Sequence, residues 1–202
     1  VYDSNHSQAV IKAGNYTYEY DANGNMIKRK GKSIQWTSYD RPKIFQLDNG
    51  KSLELKYTPG RHRFMQKVST GETNIYIGSN FQITEKANTL SVSKTFVYGP
   101  GDRIVAILTQ DKIKDTKNTT FAHADYLGSI ESVTNMTGHV VSRMRYDAFG
   151  SKIVVAGEST NTRGFTGHDH LAELGLIFMD NRVFDSFLCR FISPDPNLQD
   201  PY

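Results

Sequence analysis

Bulky and polar side chains alternate along several short stretches of the chain. In NYTYEY (residues 15–20) and SLELKY (residues 52–57), every second side chain is bulky, which is the period of a half-buried β-strand. The tyrosine, threonine, isoleucine and valine of such stretches suit a pleated surface. The strings DANGN, DNG, PGR, GPGD and MTG supply the glycine, asparagine and aspartate that hairpin turns need at positive φ. The pattern predicts antiparallel hairpins.

The hairpins are predicted to repeat along the chain. Seven tyrosines flank the turn strings at intervals of 18 to 28 residues: Tyr20, Tyr39, Tyr57, Tyr76, Tyr98, Tyr126 and Tyr146. A period of about 20 residues is typical of arrays in which one small unit is reused and only neighbouring units share a core. Each unit is predicted to contain two short strands.

Two of these tyrosines are followed at once by aspartate, in Tyr20–Asp21 and Tyr146–Asp147. An aspartate in this position can accept a hydrogen bond from a backbone N–H about two residues further on and so fix the turn. We expect the tyrosine ring to pack on the neighbouring repeat while its hydroxyl faces water. The string Tyr-Asp-x-x-Gly therefore predicts a strand end, a latch and a turn.

Two segments depart from the hairpin pattern. The charged string from Thr109 to Thr120 is poor in apolar residues and predicts an exposed loop or a long hairpin tip. The apolar run near the C-terminus predicts a helical turn from Leu171 to Leu174, ended by Gly175, with strand in the rest of the run.

The strings resemble a known family, the YD-repeat or RHS-repeat proteins, and in particular their C-terminal RHS repeat-associated core. The resemblance is loose over residues 1–122 and specific in HADYLGSIESVTNMTGHVVSRMRYDAFGSKI (residues 123–153) and RGFTGHDHLAELGLIFMDNRVFDSFLCRFISPDP (residues 163–196). Two residues depart from the family pattern. Cys189 stands where the family usually has glycine, and Phe184 stands where it commonly has tyrosine.

The resemblance implies an all-β fold: an array of antiparallel β-hairpin YD repeats that forms part of a spiral β-sheet shell, with an associated core at the C-terminal end. It places a repeat wall segment at residues 1–122 and the associated core at residues 123–202. In the family, such a shell holds a variable polypeptide, often a toxin. We expect the chain to be an excised piece. The family's self-cleavage motif would follow Tyr202, so autoproteolysis is not assigned to Asp195 or Asp200.

Charge and composition narrow the range of partners. The net charge is +3 and the basic residues are scattered, so we expect no nucleic-acid partner. No stretch approaches the roughly 18 apolar residues of a membrane helix, so we expect no membrane span. The single cysteine excludes an internal disulfide framework. From the resemblance we expect a protein that is secreted or at the cell surface, delivered by a secretion system.

Histidines give the chain one string with the composition of a metal site. His168 and His170 lie two residues apart in GHDH, and in a strand they would point to the same side, where His123 and Asp125 could complete a zinc site. A solvated or hydrogen-bonded loop explains the same letters, so we predict no metal and no cofactor. Cys189 could form a nucleophile pair with either GHDH histidine. We interpret it as a buried structural thiol.

Carboxylates and one serine were weighed as catalytic groups. Asp195 with Asp200, or Asp180 with Asp185, has the composition of a glycosidase or protease pair, although aspartate is also a common turn residue. Ser129 lacks the glycine-flanked elbow of a nucleophilic serine and is interpreted as a strand residue after a turn. We predict no catalytic residue and no enzymatic activity.

Three hypotheses about function follow. The first is a structural shell segment of a secreted or delivered RHS-repeat toxin that encapsulates a C-terminal toxic cargo. Its partners would be the cargo of the same polypeptide, the remaining RHS-repeat shell, and secretion-system or cell-surface proteins. The second is a cell-surface YD-repeat module that binds carbohydrate or a partner protein through aromatic residues such as Trp36, although we favour a packing role for these rings. The third is part of a self-cleaving aspartyl autoprotease.

Overall fold

The computed structural model describes residues 1–4, 9–87, 89–157 and 162–196. Its regular structure consists of β-strands and of four short 3-10 segments at residues 48–50, 100–102, 165–167 and 172–174. The strands are β1 (Lys12–Ala13), β2 (Tyr16–Tyr20), β3 (Met26–Arg29), β4 (Lys32–Trp36), β5 (Pro42–Gln46), β6 (Ser52–Tyr57), β7 (Arg63–Val68), β8 (Glu72–Ile77), β9 (Phe81–Lys86), β10 (Thr89–Tyr98), β11 (Ile104–Asp111), β12 (Thr116–Ala124), β13 (Ile130–Thr134), β14 (Val140–Tyr146), β15 (Lys152–Gly157), β16 (Asp169–Leu171), β17 (Leu176–Met179), β18 (Arg182–Asp185) and β19 (Arg190–Phe191).

Strands β1 to β15 form one sheet, the wall sheet, in which each strand pairs with its neighbours along the chain. Strands β16 to β19 form a second sheet in the same sequential order, the cap sheet. The pairings are antiparallel, as in β14 with β15 and β17 with β18, which confirms the predicted array of hairpins. The boundary predicted between residues 122 and 123 falls within β12 and stays a prediction. The described residues contain no helix long and apolar enough to cross a membrane.

Most repeats end in the same five-residue turn, here called the latch turn. At residues 21–25, the N–H of Asp21 donates to the carbonyl of Asn25 (2.9 Å) and the N–H of Gly24 donates to the carbonyl of Asp21 (3.0 Å). The same two bonds recur at residues 37–41, 58–62, 125–129, 135–139, 147–151 and 164–168. The fourth residue of each latch turn has a positive φ. Glycine is favoured there because it adopts this conformation without a steric cost.

The first side chain of the latch turn binds the backbone of its own turn. Oδ1 of Asp147 accepts hydrogen bonds from the N–H groups of Phe149 and Ser151, each at 2.9 Å. Burial raises the pKa of Asp147, but its hydrogen bonds from Ser151, Phe149 and Gly150 outweigh burial and lower that pKa overall. The predicted latch is thus confirmed. The fifth N–H of the turn is bound in the same way by Asp21, Thr37, Thr58, Asp125 and Asn135.

The main hydrophobic core lies between the wall sheet and the cap sheet. The face of the wall sheet that meets the cap sheet is called the inner face. Its buried residues on β2 to β6 are Tyr18, Met26, Ile34, Phe45, Leu53 and Leu55, and the residues packed on them from the cap region are Leu171, Leu176, Phe178, Val183, Leu188 and Ile192. Burying each large apolar side chain contributes roughly 1.5–3 kcal/mol. The cap sheet is therefore the principal apolar support of the first half of the wall.

The two segments that departed from the hairpin pattern have simple structures. The string from Thr109 to Thr120 is a hairpin tip, because β11 runs to residue 111 and β12 begins at residue 116. Its composition is polar because the first residues of β12 are exposed on both faces. The predicted helical turn is a single 3-10 turn at Ala172–Leu174, and it ends at Gly175 in the left-handed conformation (φ 61°).

The two departures from the family pattern are accommodated locally. Cys189 is exposed and has a φ of 57°, so the turn keeps the left-handed conformation that glycine would adopt. The interpretation of Cys189 as a buried thiol is wrong. Phe184 packs edge-on against Phe191, with ring centroids 5.3 Å apart, so an aromatic contact fills the position without a hydroxyl.

Candidate functional site

Aromatic side chains at strand ends clamp neighbouring repeats together. The hydroxyl of Tyr57 donates to the carbonyl of Pro42 (2.8 Å), and the hydroxyl of Tyr146 donates to the carbonyl of Ile130 (2.9 Å). Burial raises the pKa of both tyrosines. The expectation that these hydroxyls face water is wrong, because each one binds a backbone carbonyl of an earlier strand. Equivalent bonds are made by Tyr20 and Tyr98.

Three tyrosines of the predicted series are not clamps. The hydroxyl of Tyr76 donates to a side-chain oxygen, Oε1 of Gln66 (3.3 Å). Tyr39 and Tyr126 lie inside latch turns, at residues 37–41 and 125–129, and Tyr126 is 86% exposed. On β4 the strand-end position belongs to Trp36, whose indole N–H donates to the carbonyl of Met26 (2.8 Å). Trp36 also packs against the main core, which confirms its predicted packing role. The clamp thus requires an aromatic ring with a polar hydrogen at its far end.

A buried ion pair joins the wall sheet to the cap sheet. Nε and Nη2 of Arg29 on β3 donate to the two carboxylate oxygens of Asp185 on β18, at 2.6 and 3.0 Å. The side chains are 9% and 0% exposed, respectively. Nη1 of Arg29 donates to the carbonyl of Leu174 (2.8 Å). Oδ1 of Asp185 also accepts from the N–H groups of Phe187 (2.9 Å) and Leu188 (3.2 Å). The pair therefore fixes both the contact between the sheets and the turn after β18.

A second buried ion pair also joins the wall sheet to the cap sheet. Nη2 of Arg63 on β7 donates to Oδ2 of Asp169 on β16, and the side chains are 5% and 8% exposed. Thr162 donates to the other oxygen of Asp169 (3.1 Å). Burial raises the pKa of Asp169, but Arg63 and Arg163 outweigh it and hold that pKa below its usual value. The guanidinium of Arg63 also stacks 4.0 Å from the ring of Phe178. The cap sheet is thus held by charge as well as by apolar contact.

The second half of the wall carries a separate cluster of buried apolar side chains, which includes Phe96, Ile107 and Met144, and many polar side chains beside it. A groove of about 610 Å³ crosses β8 to β14 and is lined largely by amide, hydroxyl and charged side chains. Asn74 and Gln82 are buried there, and Nε2 of Gln82 donates to Oδ1 of Asn74 (3.1 Å). Among the described residues, no group forms a hydrogen bond with Oε1 of Gln82 or with Oγ of Ser142.

The histidines weighed as metal ligands have other roles. Nε2 of His170 accepts a hydrogen bond from the N–H of Phe165 (3.1 Å), and its ring lies against Tyr146. Burial, with a smaller contribution from Lys152, lowers the pKa of His170 to about 4. His123 contacts the hydroxyl of Thr134 (2.9 Å). In the described part of the chain, no group of three His, Cys, Asp or Glu side chains could hold a metal ion.

The described carboxylates that were candidates for catalysis have separate positions and partners. Asp180 lies in the turn between β17 and β18, whereas Asp185 ends β18 and pairs with Arg29. Asp195 pairs with Arg182 at 2.9 Å on the surface. Asp200 lies outside the described residues.

Ser129 and Asp125 act together as parts of a latch turn. The N–H of Ser129 donates to Oδ1 of Asp125 (2.8 Å), and the hydroxyl oxygen of Ser129 accepts from the N–H of Thr166 (3.1 Å). Ser129 thereby ties the segment before the cap sheet to the wall. The interpretation of Ser129 as a strand residue after a turn is wrong, because it is the last residue of the latch turn, and β13 begins at the next residue, Ile130.

Sequence reasoning did not identify the arginines that join the sheets. The face of the sheet on which these arginines lie is obscured by β-bulges. In the pairing of β6 with β7, the register shifts between Lys56 and Tyr57, next to Arg63. In the pairing of β2 with β3, it shifts between Glu19 and Tyr20, close to Arg29. A bulge inserts a residue and so moves the following side chains to the other face. The period-2 pattern therefore carries no signal that these arginines face inward.

Comparison with known sequences gives a consistent set of relatives. A family model described as Teneurin YD-shell matches residues 1–201. The chain is 24% identical over 205 residues to the tRNA nuclease WapA of Bacillus subtilis strain 168, which covers 97% of this chain and 8% of that protein. The tRNA(Glu)-specific nuclease WapA of Bacillus subtilis subsp. natto strain BEST195 matches with the same identity and coverage. The chain thus spans 8% of the length of these curated relatives.

Solved structures with a similar fold come from much longer chains. The crystal structure of TcdB2-TccC3 matches with a TM-score of 0.75 and 17% identity, over 88% of this chain and 10% of that chain. A structure of the Photorhabdus luminescens Tc holotoxin pore matches with a TM-score of 0.74 and 16% identity, over 88% of this chain and 9% of that chain. At these identities, the similarity shows the fold alone.

Proposed function

The chain belongs to the teneurin YD-shell family, and from this premise we propose that it is a wall segment of a β-sheet shell that encapsulates a C-terminal toxic cargo of the same polypeptide. The match to the family over residues 1–201 and the similarity of the fold to that of TcdB2-TccC3 confirm the resemblance to YD-repeat proteins and the all-β repeat fold. These matches support a structural role in a shell. The cargo and its enclosure belong to the proposal.

The observation that carries the proposal is the construction of the wall itself. Clamps such as those of Tyr57 and Tyr146 join each repeat to the one before it, and 15 strands pair in chain order without a break. Neighbour-to-neighbour contacts of this kind let a sheet extend as far as its repeats continue. A continuous sheet of this kind is suited to line an enclosed space.

The proposed role of this segment is mechanical rather than catalytic. The buried carboxylates of Asp169 and Asp185 are engaged by arginines, and the carboxylates of Asp21, Asp125 and Asp147 are engaged by backbone N–H groups. The nuclease activity in the name of WapA is not assigned to these residues, because the chain corresponds to 8% of that protein. Under this proposal any toxic activity resides in the cargo.

The proposed partners follow from the same role. They are the cargo of the same polypeptide, the remaining repeats of the shell, and proteins of the secretion system or the target-cell surface. The proposed location is outside the producing cell, after secretion or delivery. The similarity of the fold to that of a Tc holotoxin pore supports this inference.

Limited proteolysis of the full-length polypeptide, read by mass spectrometry, tests the proposal. We expect a segment C-terminal to the cap sheet to resist protease while the shell is folded and to be digested once the shell is opened. Asp185→Asn, which unpairs Arg29 between the two sheets, opens the shell at lower denaturant. Glu19→Gln is the matched control, because it breaks an exposed ion pair with Lys28.

The opposite outcome is equally clear. If the C-terminal segment is digested as fast as a free loop in the folded protein, encapsulation is wrong. The hypothesis of a surface module that binds carbohydrate or a partner protein would then replace it.

A further inference from the structure

The polar groove on the inner face has the dimensions of an extended peptide site. It crosses seven strands, from β8 to β14, which at about 4.8 Å per strand spans roughly 29 Å. An extended polypeptide rises about 3.3 Å per residue, so the groove accommodates roughly nine residues. Side chains along it stand opposite one another on successive strands, as Gln82, Lys94, Thr109 and Asn118 do.

Two buried polar atoms in the groove have no protein partner in the described structure. Gln82 is 2% exposed and Ser142 is 4% exposed, yet Oε1 of Gln82 and Oγ of Ser142 accept or donate no hydrogen bond to any described residue. Buried polar groups in folded proteins are nearly always hydrogen-bonded, because leaving them unpaired is costly. Both residues line the groove, at opposite ends of its course. They indicate a ligand that supplies donors and acceptors along its length.

The lining distinguishes between classes of ligand. Among the described residues that line the groove, none is aromatic, so these residues offer no ring on which a sugar could stack. Its charged lining residues are Glu72, Asp111, Lys86, Lys94 and Lys114, and this near balance does not favour a polyanion such as nucleic acid. Neutral amides and hydroxyls outnumber the charged and the apolar lining residues taken separately, and they match the alternating N–H and C=O groups of a peptide backbone.

We propose that this groove binds an extended segment of the same polypeptide, lying outside residues 1–202, through hydrogen bonds to its backbone. The inference rests on the proposed shell function, which places the inner face toward the cargo. The matched curated relatives are more than ten times the length of this chain, so such a polypeptide has ample sequence to supply the segment. Recognition through the backbone would accept cargo segments of different sequence.

Site-specific photocrosslinking in the full-length polypeptide tests this site. Benzoylphenylalanine is placed at Thr109, which lines the groove, or at Leu108, its neighbour on the opposite face of β11. We expect irradiation of the Thr109 variant to give crosslinks to peptides outside residues 1–202, with at least a fivefold lower yield from the Leu108 variant. A mixture of isotopically light and heavy protein shows whether each crosslink lies within one molecule.

A second variant separates binding from folding. Ser142→Ala removes a buried hydroxyl that has no described partner, so the melting temperature of the 202-residue chain should be unchanged or higher. The same variant should lower the crosslink yield from position 109 at least threefold.

Every outcome decides between the proposals. In one outcome, the cargo resists protease while positions 108 and 109 give equal crosslink yields, or none. That result would overturn the proposed peptide site and leave the proposed shell function standing. Crosslinks that join light and heavy molecules would overturn the assignment to the same polypeptide and identify a second copy as the ligand. If the cargo is digested by protease in the folded protein, the proposed shell function is wrong. If crosslinks are then also absent, the proposed peptide site is wrong as well.

Discussion

The ion pair between Arg29 and Asp185 gives the sharpest test of how the wall and cap sheets are held together. Asp185→Asn keeps the size of the side chain and the oxygen that accepts from the N–H groups of Phe187 and Leu188. It removes the charge opposite Arg29 and replaces the oxygen that accepts from Nε of Arg29 with an NH2 group, which cannot accept that bond. Since the two side chains are 9% and 0% exposed, the guanidinium would remain buried without a counter-charge.

The expected loss follows from this burial. Removing one partner of a buried ion pair typically costs about 3–5 kcal/mol, because the other charge stays desolvated. Asp185→Asn retains a hydrogen-bonding oxygen, so we expect a loss near the lower end, about 3 kcal/mol. In a domain of about 200 residues, each kcal/mol corresponds to roughly 2–4 °C in melting temperature, which gives a decrease of about 6–12 °C.

Equilibrium urea unfolding of the 202-residue chain, followed by tryptophan fluorescence, measures this loss. The reporter is Trp36, which packs against the core that the cap sheet completes. A double-mutant cycle with Arg29→Met isolates the pair, and we expect a coupling energy of at least about 2 kcal/mol. The control Glu19→Gln breaks an exposed pair, for which about 0–1 kcal/mol is typical. A loss from Asp185→Asn no larger than that of the control would refute the reasoning.

Three further predictions concern the clamps, the latch turns and the buried histidine. Tyr57→Phe should cost about 1 kcal/mol in urea unfolding, because it removes the donor of one buried hydrogen bond, whereas Tyr126→Phe should cost nothing measurable since that ring is exposed. Gly150→Ala and Gly31→Ala share a φ of 82°, but only at Gly150 would the new Cβ meet other side chains, at 2.6 Å; Gly150→Ala should therefore lower the melting temperature by several degrees more than Gly31→Ala. Burial lowers the pKa of His170 from 6.5 to about 4, so the unfolded chain takes up the proton first as pH falls. The free energy of unfolding should therefore decrease by roughly 3 kcal/mol between about pH 6.5 and 4. A His170→Gln variant whose stability falls as steeply over this range would contradict this prediction.

The repeats could be predicted from the sequence because their chemistry is local. A strand end, a latch residue and a positive φ lie within five positions, so letters such as those from Tyr146 to Gly150 carry the whole unit. The prediction failed where the latch residue was misread. In TSYDR the latch is Thr37, two residues before Tyr39, and in HADYLGS the latch is Asp125, one residue before Tyr126. Both tyrosines therefore fall inside turns, although they resemble strand ends.

The packing of the cap sheet on the wall could not be predicted because its contacts are not local. Arg29 and Asp185 are 156 residues apart in the chain, and Arg63 and Asp169 are 106 apart. No period of the sequence relates such positions, and the bulges beside both arginines conceal the face on which they lie. The polar groove was missed for a similar reason. It is built from one to three residues on each of seven successive strands, and no strand alone has a pattern that indicates a groove.

The two kinds of contact have different consequences for the stability of the wall. Clamps such as that of Tyr57 join adjacent repeats, so alone they would give a chain of nearly independent hairpins that opens from its ends. The arginine pairs instead tie β3 and β7 to a single cap sheet, which also covers the apolar side chains of the repeats between them. Opening any of these repeats then exposes a core shared by the others. Cooperativity in the first half of the wall therefore comes from the cap sheet, whereas the second half depends on its clamps and on a separate cluster of buried apolar side chains that includes Phe96, Ile107 and Met144.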